Sequence, residues 1–181
     1  PVDKPTFTNL TYSQTFRGYF AKMNLFKSKY AKLFPTAEQT DRSHEMHDFF
    51  MYEIKGGKDT LDLFLEKLNI ELSEGRKYTI FIKGFASPLA PSEYNKQLGQ
   101  RRIQSLRNEF AKYKNGLFVK YLNSGLLEIR EKTFGEDTAP VNVASEPKDP
   151  RSIFYINASR ERRVEIVEIK EWLILLKKAA N

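Results

Sequence analysis

The sequence predicts an α+β protein in which helices cover one face of a small sheet, a two-layer α/β sandwich. Three observations support this prediction. Apolar residues recur every three to four positions in the first third of the chain, two later runs are rich in β-branched and aromatic residues, and a third run alternates polar and apolar residues. In chain order the segments read helix, helix, strand, helix, strand, strand.

The composition is that of one globular domain with a sizeable core. Of 181 residues, 40% are hydrophobic and 29% are charged. No run of about 18 apolar residues is present, so we expect no transmembrane segment in this chain. The first ten residues lack a basic-then-apolar signal pattern, and this excludes no compartment. The absence of cysteine removes disulfides, thiolate nucleophiles and cysteine-based zinc sites.

The formal net charge of +7, from 30 basic and 23 acidic residues, suits an anionic partner. Basic residues are nevertheless mixed with acids almost everywhere. The densest basic segment, Arg101 to Lys114, has no solvent-facing row of aromatic residues on which bases could stack. We therefore expect no nucleic-acid partner.

An aromatic stripe predicts the first helix, from about Ser13 to Leu33, with Pro35 closing it. The stripe consists of Tyr12, Phe16, Tyr19, Met23, Phe26 and Tyr30. Core packing is favoured for these side chains over a ligand groove.

A second helical region follows, which Asp41 or Ser43 could cap at its start. Gly75 is a plausible C-terminal stop. Gly56-Gly57 lies in the middle and costs roughly 1 kcal/mol per glycine relative to alanine in a helix, so a break or kink is expected there.

Three strands and one further helix are predicted in the rest of the chain. The strands are Lys77 to Ala86, Leu126 to Phe134 and Arg162 to Lys170, and the helix is Ser92 to Tyr113. Asn115-Gly116 predicts a turn, which an ambiguous extended piece, "LFVKYL", follows.

The chain is accordingly divided into three parts. Residues 1–76 form a helical N-terminal part of the same domain, residues 77–170 form the core, and residues 171–181 form a C-terminal tail of undecided structure. Residues 135–152, rich in Gly, Pro and Ser, are expected to form an exposed loop.

Catalytic and metal motifs are absent from the sequence. His44 and His47 are three apart, whereas the zinc-protease pattern needs histidines four apart with a glutamate beside the first. No third ligand stands out, and two histidines give no triad or acid–base constellation. We expect a protein that is not an enzyme, with no cofactor and no metal.

Two polar residues on the apolar side of the predicted Ser92 to Tyr113 helix indicate a binding site. On a helical wheel the apolar residues span roughly 40° to 180°, and Asn95 and Arg102 fall near 100° and 80°. An arginine on the core side needs a matched charge, because an unpaired buried charge is costly. Either Arg102 forms an internal ion pair, or its planar guanidinium forks onto a ligand carboxylate.

Neighbouring segments approach the same place. The loop Ala86-Ser87-Pro88 would bring backbone groups over it, with Asn95 adding a neutral donor and acceptor. On the last strand Arg162 shares its face with Val164 and Ile166, so it would emerge on the helix side near Arg102.

Three segments resemble a known family. "YTIFIKGFAS", "YNKQLGQRRIQSL" and "ASRERRVEI" are similar to the C-terminal OmpA-like domain shared with peptidoglycan-associated lipoprotein and MotB. Gly84 matches the family glycine, Asn95 and Arg102 match helix positions, and Arg162 opens the matching final-strand motif. "GLLEIREKTFGEDTAP" resembles the third strand and its turn, and the "GFASPLAPSEYN" stretch resembles a longer variant of Gram-negative envelope proteins.

The resemblance implies a βαβαββ fold that binds peptidoglycan non-covalently, with an enlarged helical N-terminal part here. Its ligand is the diaminopimelate of the stem peptide, and the implied place is the periplasm, associated with the outer membrane. Arg102 would hold the carboxylate, supported by Asn95, by Ala86 and Ser87 of the loop, and by Arg162.

The chain departs from the family pattern in three ways. Ser87 stands where the family has an aspartate, and the loss of that charge is expected to weaken binding by about 1.5–3 kcal/mol. Prolines of "PLAP" stiffen the loop, and the family's opening strand is not evident before Thr6. Two hypotheses follow: a module anchoring an outer-membrane protein or lipoprotein to the cell wall, or an interaction module of an envelope complex whose peptidoglycan binding is weakened or lost.

Overall fold

The computed structural model describes residues 16–85, 92–132, 154–160 and 163–172, with residues 92–98 described as backbone only. Over these ranges the protein has α+β architecture, which confirms the predicted class. The expected loop at 135–152 and the tail beyond Trp172 lie outside the described residues.

Helices make up the first part of the described chain. Their bounds are α1 Phe16–Phe20, α2 Met23–Ala31, α3 Gln39–Asp48 and α4 Gly56–Ser73, with a 3-10 turn at Thr36–Glu38 before α3 and a π-helical segment at Phe49–Lys55 between α3 and α4.

Strands alternate with helices in the remainder. The elements are β1 Lys77–Gly84, α5 Ser92–Lys112, α6 Val119–Ser124, β2 Leu127–Glu131, α7 Ile156–Arg160 and β3 Val164–Trp172. A 3-10 turn at Tyr113–Asn115 follows α5.

The described strands form one mixed sheet in the order β2-β1-β3. β1 and β2 are parallel, with Ile80 opposite Ile129. β1 and β3 are antiparallel, with Ile80 opposite Ile169, and the register shifts between Phe81 and Ile82. The shift leaves an extra residue on β3, the pattern of a β-bulge.

A first core joins α4, α5 and α6 to the sheet. Its buried members are Leu65, Leu68, Leu72, Ile80, Ile82, Ile103, Leu106, Phe110, Phe118, Tyr121 and Leu127. Because α4 contributes three leucines, the last helix before β1 belongs to the same core as the sheet.

A second core holds the aromatic N-terminal helices together with α7. Its buried members are Phe26, Tyr30, Met46, Phe49, Phe50 and Ile156. Ring pairs such as Tyr19–Phe26, with centroids 5.7 Å apart and planes at 81°, are the edge-to-face contacts that aromatic rings favour. The prediction that the aromatic stripe is core is confirmed for Tyr19, Met23, Phe26 and Tyr30.

Four local predictions about helices were wrong. The first helix is interrupted between α1 and α2, and Asp41 and Ser43 lie inside α3 rather than at its start. The glycine pair does not break the helix: Gly56 has helical φ −58° and ψ −40°. The expected extended piece contains α6 instead, with Phe118 and Tyr121 buried in the core that includes the sheet.

Other boundaries match the predictions closely. Gly75 ends α4 with φ +83°, and Asn115 and Gly116 turn the chain with φ +60° and +89°. β3 extends two residues further than predicted, to Trp172. Among the described residues, the helices are too short or too polar to cross a membrane.

Candidate functional site

Two glycines fix α5 against the end of β1. A Cβ built on Gly99 would lie 3.2 Å from the Gly84 carbonyl oxygen, and one built on Gly84 would collide with the Gly99 carbonyl. Strand and helix backbones therefore touch directly, which only glycine permits. The next turn of α5, which carries Arg102, is thereby set beside the end of β1.

Arg102 donates a hydrogen bond from Nη1 to the backbone carbonyl of Phe85, the residue directly after β1. Its side chain is half-buried. A guanidinium has five N–H donors in a fixed plane and is permanently charged. Arg102 thus lies at the C-terminal end of β1, beside the last residue described before the gap at 86–91.

Phe85 connects this arginine to the start of β3. The Phe85 N–H donates to the Arg163 carbonyl at 2.8 Å. The Arg163 guanidinium carbon lies 4.2 Å from the centroid of the Phe85 ring, and the Lys83 ammonium lies 4.6 Å from it. Cation–π contacts of this length contribute about 0.5–1 kcal/mol at exposed sites.

Three cationic side chains consequently gather around Phe85. Arg163 is itself oriented by an ion pair with Glu165 and by donation from Nη1 to the Arg160 carbonyl at 3.1 Å. Lys83, Arg102 and Arg163 thus lie together where β1 ends and β3 begins. An arginine in such a place can hold a carboxylate through planar, charge-assisted hydrogen bonds.

Of the other predicted site residues, only Asn95 lies in the described part of the chain, and there only its backbone is described. Asn95 lies in α5, seven residues or about two turns before Arg102, and its side chain lies outside the described part. Ala86, Ser87 and Arg162 lie outside the described residues.

Sequence reasoning missed the role of Phe85 and its two cations. Strand alternation predicts that Arg163 faces away from Arg162 and so away from the expected site. In the structure Arg163 reaches Phe85 because β3 lies beside β1. The available signal was the pair Lys83 and Phe85 flanking the matched Gly84.

Arg101 is buried, although its position outside the apolar stripe of the helix predicts a solvated charge. Its side chain is only 6% exposed, and its Nη2 has no hydrogen-bond partner among the described residues. The wheel places Arg101 about 100° from Arg102, outside the apolar stripe. The long apolar stem of an arginine can be buried against neighbouring residues even where the arginine lies outside the apolar stripe. The helical wheel does not predict such burial.

Charges on the sheet face that carries Thr79 and Phe81 are matched within the protein. Lys132 and Lys170 hold the pKa of Glu168 below its usual value through hydrogen bonds, and Arg130 lowers the pKa of Glu128 in the same way. Lys132 lies 2.8 Å from Glu168.

Within the described ranges, the structure has no cluster of three or more His, Asp or Glu side chains suited to a metal ion. His44 is exposed on α3. His47 is partly covered, and its Nδ1 has no partner in the described part of the chain.

Comparisons of the chain with protein-family models, with curated proteins and with solved structures gave no match.

Proposed function

We propose that this protein binds peptidoglycan non-covalently and anchors an outer-membrane protein or lipoprotein to the cell wall. The observation that carries the proposal is the placement of Arg102 on the Phe85 carbonyl, at the start of the loop that the OmpA-like resemblance assigns to the ligand. The ligand group is a carboxylate of the stem-peptide diaminopimelate, and the protein acts in the periplasm.

The order of elements supports the OmpA-like assignment. From α4 onward the larger elements run helix, β1, α5, β2, β3, which corresponds to the last five elements of a βαβαββ fold. β1 and β2 are parallel around α5, and β3 returns antiparallel beside β1. The enlarged N-terminal part corresponds to the aromatic core built by α1 to α3.

The charge of the site supports a carboxylate ligand. Lys83, Arg102 and Arg163 all contact the Phe85 ring or its carbonyl. Arginine is the side chain best suited to bind a carboxylate through two parallel hydrogen bonds. We expect Asn95, Ala86, Ser87 and Arg162 to contact the same ligand, with Arg162 placed at the start of the last strand.

A pull-down with purified cell-wall sacculi tests the proposal. Wild-type protein is expected to sediment with sacculi, and Arg102→Ala is expected to remain largely in solution. Lys112→Ala is the matched control, because it removes an exposed charge from the same helix. Wild type that does not sediment, or equal sedimentation of all three proteins, would sink the proposal.

A second candidate function is an interaction module of an envelope complex. It is favoured by exposed apolar side chains of the π-helical segment and of α4: Tyr52 is 76% exposed, Leu63 55% and Ile70 57%. Leu63 and Ile70 are seven residues apart and so lie on one line of α4. Tyr52→Ser with Leu63→Ser and Ile70→Ser should then abolish capture of an envelope partner while sacculi binding persists.

A further inference from the structure

We propose that the groove between α2 and α3 binds a small anionic sugar, either a sugar phosphate or a sugar carboxylate. The groove has a volume of about 310 Å³ and is lined by Ser28, Ala31, Lys32, Gln39, Thr40, Ser43 and His44. Small-molecule sites usually have volumes of about 300–1,000 Å³, so the groove is large enough for one sugar-sized ligand.

Both helices present the same pattern to the groove. Ser28 lies in α2 and Lys32, four residues on, directly follows it; α3 contributes Thr40, with Ser43 and His44 three and four residues further on. Such spacings place side chains on one face of a helix. Polar side chains from the two helices therefore face the same space, above the buried Ala31.

The lining is selective for an anion, because it contains a lysine and an imidazole but no carboxylate. This is notable on α3, which carries several acids. Arg42 binds two of the nearby acids, Glu38 at 3.2 Å and Glu45 at 3.1 Å, away from the groove. Lys32 and His44 are thus the charged or chargeable groups that a ligand meets there.

The groove's donors are not used within the described part of the protein. No hydrogen bond or ion pair joins the side chains of Ser28, Lys32, Thr40, Ser43 or His44 to another described residue.

Hydroxyl and amide groups complete the ligand chemistry. Gln39 donates from Nε2 to the Phe34 carbonyl at 3.1 Å, which fixes its amide at the groove. Its amide oxygen and the three hydroxyls suit the hydroxyls of a sugar ring, while Lys32 and His44 suit its oxyanion. The groove lies on α2 and α3, whereas the proposed wall-binding site lies on α5 and the end of β1, so this inference does not depend on the proposed function.

Nuclear magnetic resonance titrations of the full chain with glucose 6-phosphate, glucuronate and glucose test the proposal. We expect saturable shifts of α2 and α3 amides with at least one anionic sugar and none with glucose. Shifts with glucose 6-phosphate alone identify a phosphate ligand, and shifts with glucuronate alone identify a carboxylate ligand.

Variants distinguish specific binding in the groove from a general attraction of anionic sugars to a basic protein. Lys32→Gln should weaken binding about ten- to a hundredfold, the loss of one charge-assisted hydrogen bond. Ser43→Ala should weaken it about two- to tenfold without harming α3, because alanine favours helix. Lys29→Gln, an equal charge change on an exposed position of α2 outside the groove, should have little effect.

Three results would overturn the proposal: no saturable shift with either anionic sugar, equal shifts with glucose, or equal weakening by Lys32→Gln and Lys29→Gln. Backbone amide spectra of the variants check that each remains folded.

Discussion

Gly84 is the residue on which the seating of α5 depends most directly. Gly84→Ala would push its new methyl group into the Gly99 carbonyl, so β1 and α5 must separate. We expect a loss of about 1–3 kcal/mol in the free energy of unfolding, the usual cost of overpacking. Urea denaturation measures it.

Gly99→Ala is the matched control for this contact. Its Cβ would lie 3.2 Å from the Gly84 carbonyl oxygen, a milder approach, and alanine gains about 1 kcal/mol over glycine in a helix. Gly99→Ala should therefore cost less than Gly84→Ala. The opposite order would show that the strand and helix backbones do not meet as described.

Tyr30 should make stability depend on pH in the alkaline range. Burial, and then its hydrogen bond to Glu45 at 3.1 Å, raise the pKa of Tyr30 to about 12. Its ordinary pKa is about 10, so the folded state keeps the proton more tightly than the unfolded state. The stabilisation is fully present below pH ~10 and is lost as pH rises through about 12.

Denaturation of wild type and Tyr30→Phe across this pH window checks the effect. We expect wild type to be more stable at neutral pH by about 1 kcal/mol, because the variant lacks the hydrogen bond to Glu45. That advantage should shrink between pH ~10 and ~12. A constant difference across the window would contradict the assigned pKa of Tyr30.

Ser87 is the position at which the chain departs from the acid of the OmpA-like pattern. If the proposed site binds diaminopimelate, Ser87→Asp should strengthen binding about ten- to a hundredfold by adding a charge-assisted bond to the ligand ammonium. Pimelate, which lacks both amino groups, is the control ligand and should not gain. Equal gains for both ligands would place the new acid away from the ammonium.

At the scale of elements, the glycine pair at the start of α4 is a place where substitution can stabilise the protein. Gly56 has helical dihedral angles, and a Cβ added at Gly56 or Gly57 would meet nothing within 4 Å. Each glycine-to-alanine change should therefore raise the free energy of unfolding by about 0.4–1 kcal/mol. Thermal or urea denaturation tests this, and a loss of stability would indicate a local conformation that alanine cannot adopt.

The sequence predicts elements well where one local signal dominates. Alternation and β-branched residues located β1 and β3, and Gly75 marked the end of α4 because its positive φ requires glycine or a similar residue. α6 was missed since "LFVKYL" is a short apolar run with no decisive period. In the structure Phe118 and Tyr121 are buried in the sheet core, a long-range contact that the local sequence does not reveal.

At the scale of the whole molecule, two cores join in one chain. The sheet core contains Phe110 and Phe118, and the aromatic core contains Phe26, Phe50 and Ile156. The wheel correctly placed Arg102 partly inside the protein, because a helix period fixes which residues share a face. It could not place Phe85 and Arg163 together, because that contact joins distant segments.

The central claim is that Arg102 holds a stem-peptide carboxylate. Titration calorimetry with a diaminopimelate-containing muropeptide, using wild type, Arg102→Ala and the control Lys112→Ala, tests it most directly. The account predicts saturable binding by wild type and Lys112→Ala, with a loss of about tenfold or more in Arg102→Ala. Undetectable binding by wild type, or equal affinity in Arg102→Ala, would contradict it.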